Sequence, residues 1–65
     1  MEGTIKSFDE LKGFGFITGG DGKEYTFNQA AIEGTDPKSL ESGVRVSFEV
    51  QQGARGPRAV SVKKL

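Results

Sequence analysis

Glycine divides this chain into short pieces. Ten of its 65 residues are glycine, set between β-rich runs with no fixed repeat. No stretch carries a sustained apolar period of 3.6 residues, so the expected pattern is short strands joined by tight turns. Five such runs can be read: Glu2 to Phe8, Gly13 to Thr18, Lys23 to Asn28, Val44 to Gln51 and Arg58 to Lys64. The connections Gly19-Gly20-Asp21-Gly22 and Gln52-Gly53-Ala54-Arg55-Gly56-Pro57 have hairpin character. The longer stretch from Gln29 to Gly43 contains Asp36-Pro37, which marks a turn or the start of a short helix. Five strands in one short chain imply a barrel.

Alternation predicts which side chains fill it, because successive strand residues point to opposite faces. Val44, Val46, Phe48 and Val50 share one face of the fourth run, against Arg45, Ser47, Glu49 and Gln51 on the other. Val60 and Val62 in the fifth run and Tyr25 and Phe27 in the third follow the same rule. Ile5, Ile17, Ile32 and Leu40 complete the predicted core, with Leu40 tucked under the barrel.

Length and composition limit what else the chain can be. At 65 residues it has room for one domain spanning residues 1–65, and a domain of that size buries only about 60% of the surface its unfolded form exposes. Without cysteine or histidine there is no disulfide framework and no thiolate or imidazole metal site. The apolar runs fall far short of the ~20 residues that cross a bilayer. Met-Glu-Gly-Thr at the start has no signal-peptide pattern, and a cytoplasmic location is expected. Nine Lys plus Arg balance nine Asp plus Glu, so no strong basic footprint announces a nucleic-acid partner. The charges are unevenly spread, with Arg55, Arg58, Lys63 and Lys64 late in the chain.

The second run holds the residues that carry chemistry. Lys12-Gly13-Phe14-Gly15-Phe16-Ile17 places two phenylalanines on one face and Ile17 on the other. The other runs already supply the interior, and Ile17 matches them in type, so Phe14 and Phe16 are expected outside. The flanking glycines would keep the surface beside the rings flat. A base stacked on such a ring contributes roughly 1–3 kcal/mol.

Lys12 to Ile17 reads as the RNP1 sequence of nucleic-acid-binding domains, departing from it with Gly19 at the final aromatic position. The RRM fold, one host of RNP1, needs amphipathic helices that this chain lacks. The chain resembles the bacterial cold-shock proteins instead. The resemblance runs through Glu2-Gly3, Lys6, Phe8, Lys12 to Ile17, Ala31-Ile32, Leu40, Gly43, Val46-Ser47-Phe48-Glu49, Gly53 and Arg55-Gly56-Pro57. It implies an all-β, five-stranded antiparallel OB-type β-barrel that binds single-stranded RNA or DNA on an aromatic face, as a monomer and without a cofactor.

The departures from the family pattern fall mostly on that face. Ser7 stands where the family has a tryptophan, and Thr26, Phe27, Asn28 and Gln29 stand where it has aromatic, aliphatic, histidine and aromatic residues. A further aromatic of the next loop is replaced around Pro37. The candidate binding residues are therefore Phe14 and Phe16 as stacking rings and Phe8 as a partly exposed ring at the edge. Lys6, Lys12, Lys38 and Arg55 are candidate phosphate partners, and Asn28 and Gln29 could read base edges. The alternative is the same barrel repurposed or engineered as a protein-interaction module. Catalysis is not expected, since no acid-base pair or activated nucleophile is present. Gly19-Gly20-Asp21-Gly22-Lys23 lacks the spacing of a phosphate loop and is read as a turn.

Overall fold

The computed structural model describes every residue except Thr35 and Arg55. Strands β1 (Glu2–Asp9), β2 (Phe14–Gly19), β3 (Glu24–Asn28), β4 (Arg45–Gly53) and β5 (Gly56–Lys64) close into a barrel in the order β1-β2-β3-β5-β4. Each lies within about two residues of the run read from the sequence. Two single 3-10 turns, Gln29–Ala31 and Pro37–Ser39, interrupt the connection from β3 to β4. Asp36 caps the second through its side chain, as the Asp-Pro pair predicted. The antiparallel expectation holds at every seam but one. Where β3 meets β5 the pairing is parallel, through Thr26 and Arg58, and the bridge Ile32 to Val62 extends it.

The core contains Ile5, Ile17, Tyr25, Phe27, Leu40, Val46, Phe48 and Val62 as predicted, with Val44 and Ile32 partly buried against it. Two predicted core positions are corrected. Val60 pairs with Glu49 on the outer face, and Ala59, only 1% exposed, takes the interior place instead. The cause is a bulge in β5: from Ser47 to Glu49 on β4 the partner strand moves from Lys63 to Val60. Ser61, inside that bulge, has φ +52°, a left-handed conformation that absorbs the extra residue. Val50 is 39% exposed, because it lies beyond the part of β4 that pairs with β1.

A second bulge bends β1. Ile5 pairs with Ile17 and Ser7 with Phe16, leaving Lys6 as the extra residue. Strict alternation from Ile5 would turn Ser7 inward and Phe8 outward, and the bulge reverses both. Phe8 consequently faces Gly15 and stacks on buried Phe27, centroids 5.4 Å apart and planes at 13°. Gly15 is required there, since a Cβ would strike the carbonyl oxygen of Ser7. Its function is close approach of two strands, not the flattening of the ring surface expected from the sequence.

The β2–β3 turn forms where the glycines predicted it, with Gly19 N–H donating to Lys23 O at 2.8 Å and Gly22 at φ +82°. Tyr25 reaches out of the core to this turn and donates its O–H to Asp21 Oδ2 at 2.5 Å, while Asp21 Oδ1 accepts from Lys23 N–H at 3.0 Å. Tyr25, then the Lys23 N–H, hold the Asp21 carboxyl below its ordinary 3.8. The same bond to Asp21, followed by burial, raises the Tyr25 phenol above 10.0. A carboxyl lowered in the folded state stabilises above its unfolded pKa and stops doing so as pH falls through the folded value. The stability advantage of wild type over Tyr25→Phe is therefore expected to shrink as pH drops below about 3.8. Thermal melts followed by circular dichroism between pH 5 and 2 would measure it. Parallel acid profiles for the two proteins would count against the contact.

Candidate nucleic-acid interface

Strand register sets out the outer face in rows. Ser7, Phe16, Thr26, Arg58 and Gln51 are successive partners across β1, β2, β3, β5 and β4. A second row joins Asp9, Phe14 and Asn28. Because β2 puts Gly15 and Ile17 inward, Phe14 and Phe16 must both point out. Phe14 is 42% exposed and Phe16 partly so. Their rings meet edge to face, 6.3 Å between centroids at 83°, which leaves a ring face open to a flat ligand.

These rings border a groove of about 1070 Å³ that also takes in Thr26, Asn28, Pro57 and Arg58. Of the residues singled out in the sequence, Phe14, Phe16 and Asn28 come together here. Asn28 is already partly engaged, since its Oδ1 accepts from Ala31 N–H at 3.2 Å and caps the first 3-10 turn. Gln29 is exposed at the start of that turn, tied to the β1–β2 loop by its N–H to Gly13 O at 2.7 Å. Phe8 is the partly exposed edge ring expected of it, packed against the core, and does not border the groove. Lys12 is exposed in the loop before β2, whose shape Asp9 fixes by accepting from the N–H groups of Leu11 and Lys12. Lys38 is exposed in the second 3-10 turn and does not border the groove. Arg55 lies outside the described residues.

Electrostatically the face is mixed. Lys6 stands on the β1 bulge and forms an ion pair with Glu24, which borders the groove. Glu33, on another side of the groove, pairs with Lys63 at 3.9 Å. Among the described residues, Arg58 is the one cation that borders the groove. Sequence reading passed over it because its place beside Thr26 depends on the parallel seam, which joins positions far apart in the chain. Alternation from Val60 and Val62 would also have turned Arg58 inward, and the bulge at Ser61 is what turns it out.

The cold-shock DNA-binding domain model matches residues 1–65. Over 66 aligned positions the chain is 47% identical to the cold shock-like protein CspB of Yersinia pestis, covering 100% of this chain and 94% of that one. It is 48% identical to the cold shock-like protein CspC of Shigella flexneri, covering 100% and 96%. The major cold shock protein of Streptococcus pyogenes serotype M6 is 44% identical over 64 residues, 98% of this chain and 96% of its own. Barrel order, the outward RNP1 rings and full-length similarity agree: the chain belongs to the cold-shock domain family of nucleic-acid-binding proteins.

Proposed function

We propose that this chain binds single-stranded RNA or DNA weakly and with low sequence specificity through the outer face of β1, β2 and β3. In this reading it acts as a monomer in the cytoplasm, as an RNA chaperone or a regulator of transcription or translation. The supporting observation is the outward pair Phe14 and Phe16 beside an open groove. Two exposed rings left without a ligand would be an aggregation liability. Bases stack on them regardless of identity, because every base has a π-face.

Weakness follows from what flanks the rings. Ser7 and Thr26 sit on either side of Phe16, and Asn28 beside Phe14, each a polar residue in a row where a ring would extend the stack. If each missing ring gives up ~1 kcal/mol, three or four reduce affinity by about 100- to 1,000-fold. With Lys6 held by Glu24, phosphate attraction does little to compensate.

An NMR titration with short oligo-T and oligo-U strands, at low and physiological salt, tests the reading. Amides of Phe14, Phe16 and Asn28 are expected to shift; if they stay unmoved at millimolar strand, the barrel serves as an interaction module instead. Phe14→Ala and Phe16→Ala should each weaken binding by about 5- to 150-fold, the equivalent of one stacked base. Each should lose far less than the roughly 3–5 kcal/mol of a core phenylalanine. A stability loss of that size in either variant would mark its ring as core.

A further inference from the structure

Arg58 is held in an orientation suited to reading a base. Its Nε–H and Nη2–H both donate to Gln51 Oε1, at 3.2 and 2.9 Å, so one edge of the guanidinium is fixed to β4. The end of the fork, Nη1 together with the second Nη2 hydrogen, is the part not used by that contact. Gln51 and Arg58 are cross-strand partners, and Thr26 is the partner of Arg58 on the other side. Across small Thr26 stands Phe16. The row therefore runs from a stacking ring, over a short side chain, to an oriented pair of donors.

We propose that Arg58 is a specificity-determining residue that selects guanine at one position of the bound strand, by donating from its Nη1–Nη2 end to guanine O6 and N7. The inference rests on the proposed function and adds one position of discrimination to a site otherwise tolerant of sequence. Guanine offers two adjacent acceptors matched to the guanidinium fork, whereas the Hoogsteen edge of adenine pairs one acceptor with a donor. Reach also favours a purine. Phe16 and Arg58 are two strand spacings apart, about 9–10 Å. A base stacked on Phe16 must extend across Thr26 to meet the donors, and the two-ring base extends further.

The surroundings favour a base edge over a phosphate at this point. Glu24 and Glu33 border the same groove, and their charges oppose a phosphate more than they oppose a neutral base. Lys6 and Lys63 are the cations paired with them. Arg58 itself is exposed, so replacing it leaves the core unchanged.

The test measures binding of heptathymidine, and of the same strand with one guanine at each position in turn, by fluorescence anisotropy. Guanine at one position should tighten binding by about 5- to 150-fold, the discrimination of a bidentate contact. Replacing it with 7-deazaguanine, which lacks the N7 acceptor, should remove most of that gain. Arg58→Ala and Arg58→Lys should both abolish the guanine preference, read within each variant as the ratio of guanine-strand to heptathymidine affinity, since lysine keeps the charge but not the fork. A preference that persists in Arg58→Lys, or equal tightening by cytosine, overturns the assignment. Heptathymidine binding that disappears in Phe16→Ala, combined with indifference to guanine in the wild type, overturns this inference alone. If no strand binds at all, the proposed function falls with it.

Discussion

Phe48→Ala is expected to remove about 3–5 kcal/mol of stability and leave a large part of the population unfolded. At the usual per-residue stability a chain of 65 residues has only ~3–10 kcal/mol in total. Phe48 is the largest fully buried side chain, 2% exposed, and its ring lies 5.4 Å from that of Tyr25 at a 53° tilt. Ile17 sits close by, because a Cβ on Gly3 would touch both side chains. Several strands thus meet around one ring, and no single neighbour can move to fill the space left by its removal. Phe48→Leu, which keeps most of the volume, should lose much less. Urea unfolding followed by circular dichroism would measure both. A loss below about 1 kcal/mol for Phe48→Ala would mean that the barrel contracts around the void.

Thr26→Phe is expected to raise the affinity for heptathymidine by about 5- to 150-fold, with little change in stability. Thr26 is exposed on β3, between Phe16 on β2 and Arg58 on β5. An aromatic residue suits the pleated outer position of a strand, and strands stand about 4.8 Å apart. The new ring would therefore continue the platform that Phe14 and Phe16 begin. Ser7→Trp, on the opposite side of Phe16, should act in the same direction, and the two together should approach additivity because the Phe16 strand separates them. Anisotropy titrations of the three variants decide the matter. Unchanged affinity would show that missing rings are not what limits binding. It would also remove the basis for the low affinity proposed above.

Individual strands show what sequence reading can reach. Val46 and Phe48 in β4 and Tyr25 and Phe27 in β3 alternate cleanly, and the barrel buries all four. Alternation is broken by a partner strand at two places, and only the second overturns a core position. At Lys6 an unmatched residue sets Phe8 against the core as the partly exposed edge ring expected of it, and at Ser61 another turns Val60 out and Ala59 in. A bulge is set by how two strands pair, and neither Lys6 nor Ser61 belongs to a residue type that marks one. Ser61 in particular adopts positive φ without being glycine. The candidate site divided in the same way. Phe14 and Phe16 were legible because one strand decides which way they point. Arg58 was not, since its neighbours Thr26 and Phe16 arrive from the other end of the chain.

The parallel seam between β3 and β5 has a consequence for motion. Thr26 and Arg58 form its registered strand pair, and Ile32 to Val62 is the bridge beyond it, whereas β4 and β5 are laddered along most of their length. Fewer hydrogen bonds must break there for the barrel to breathe, so amides near Arg58 belong to the low-energy end of local opening. A strand lying from Phe16 across Thr26 to Arg58 would bridge that seam from outside. It would act as a splint, and slower hydrogen exchange at the seam would report its arrival.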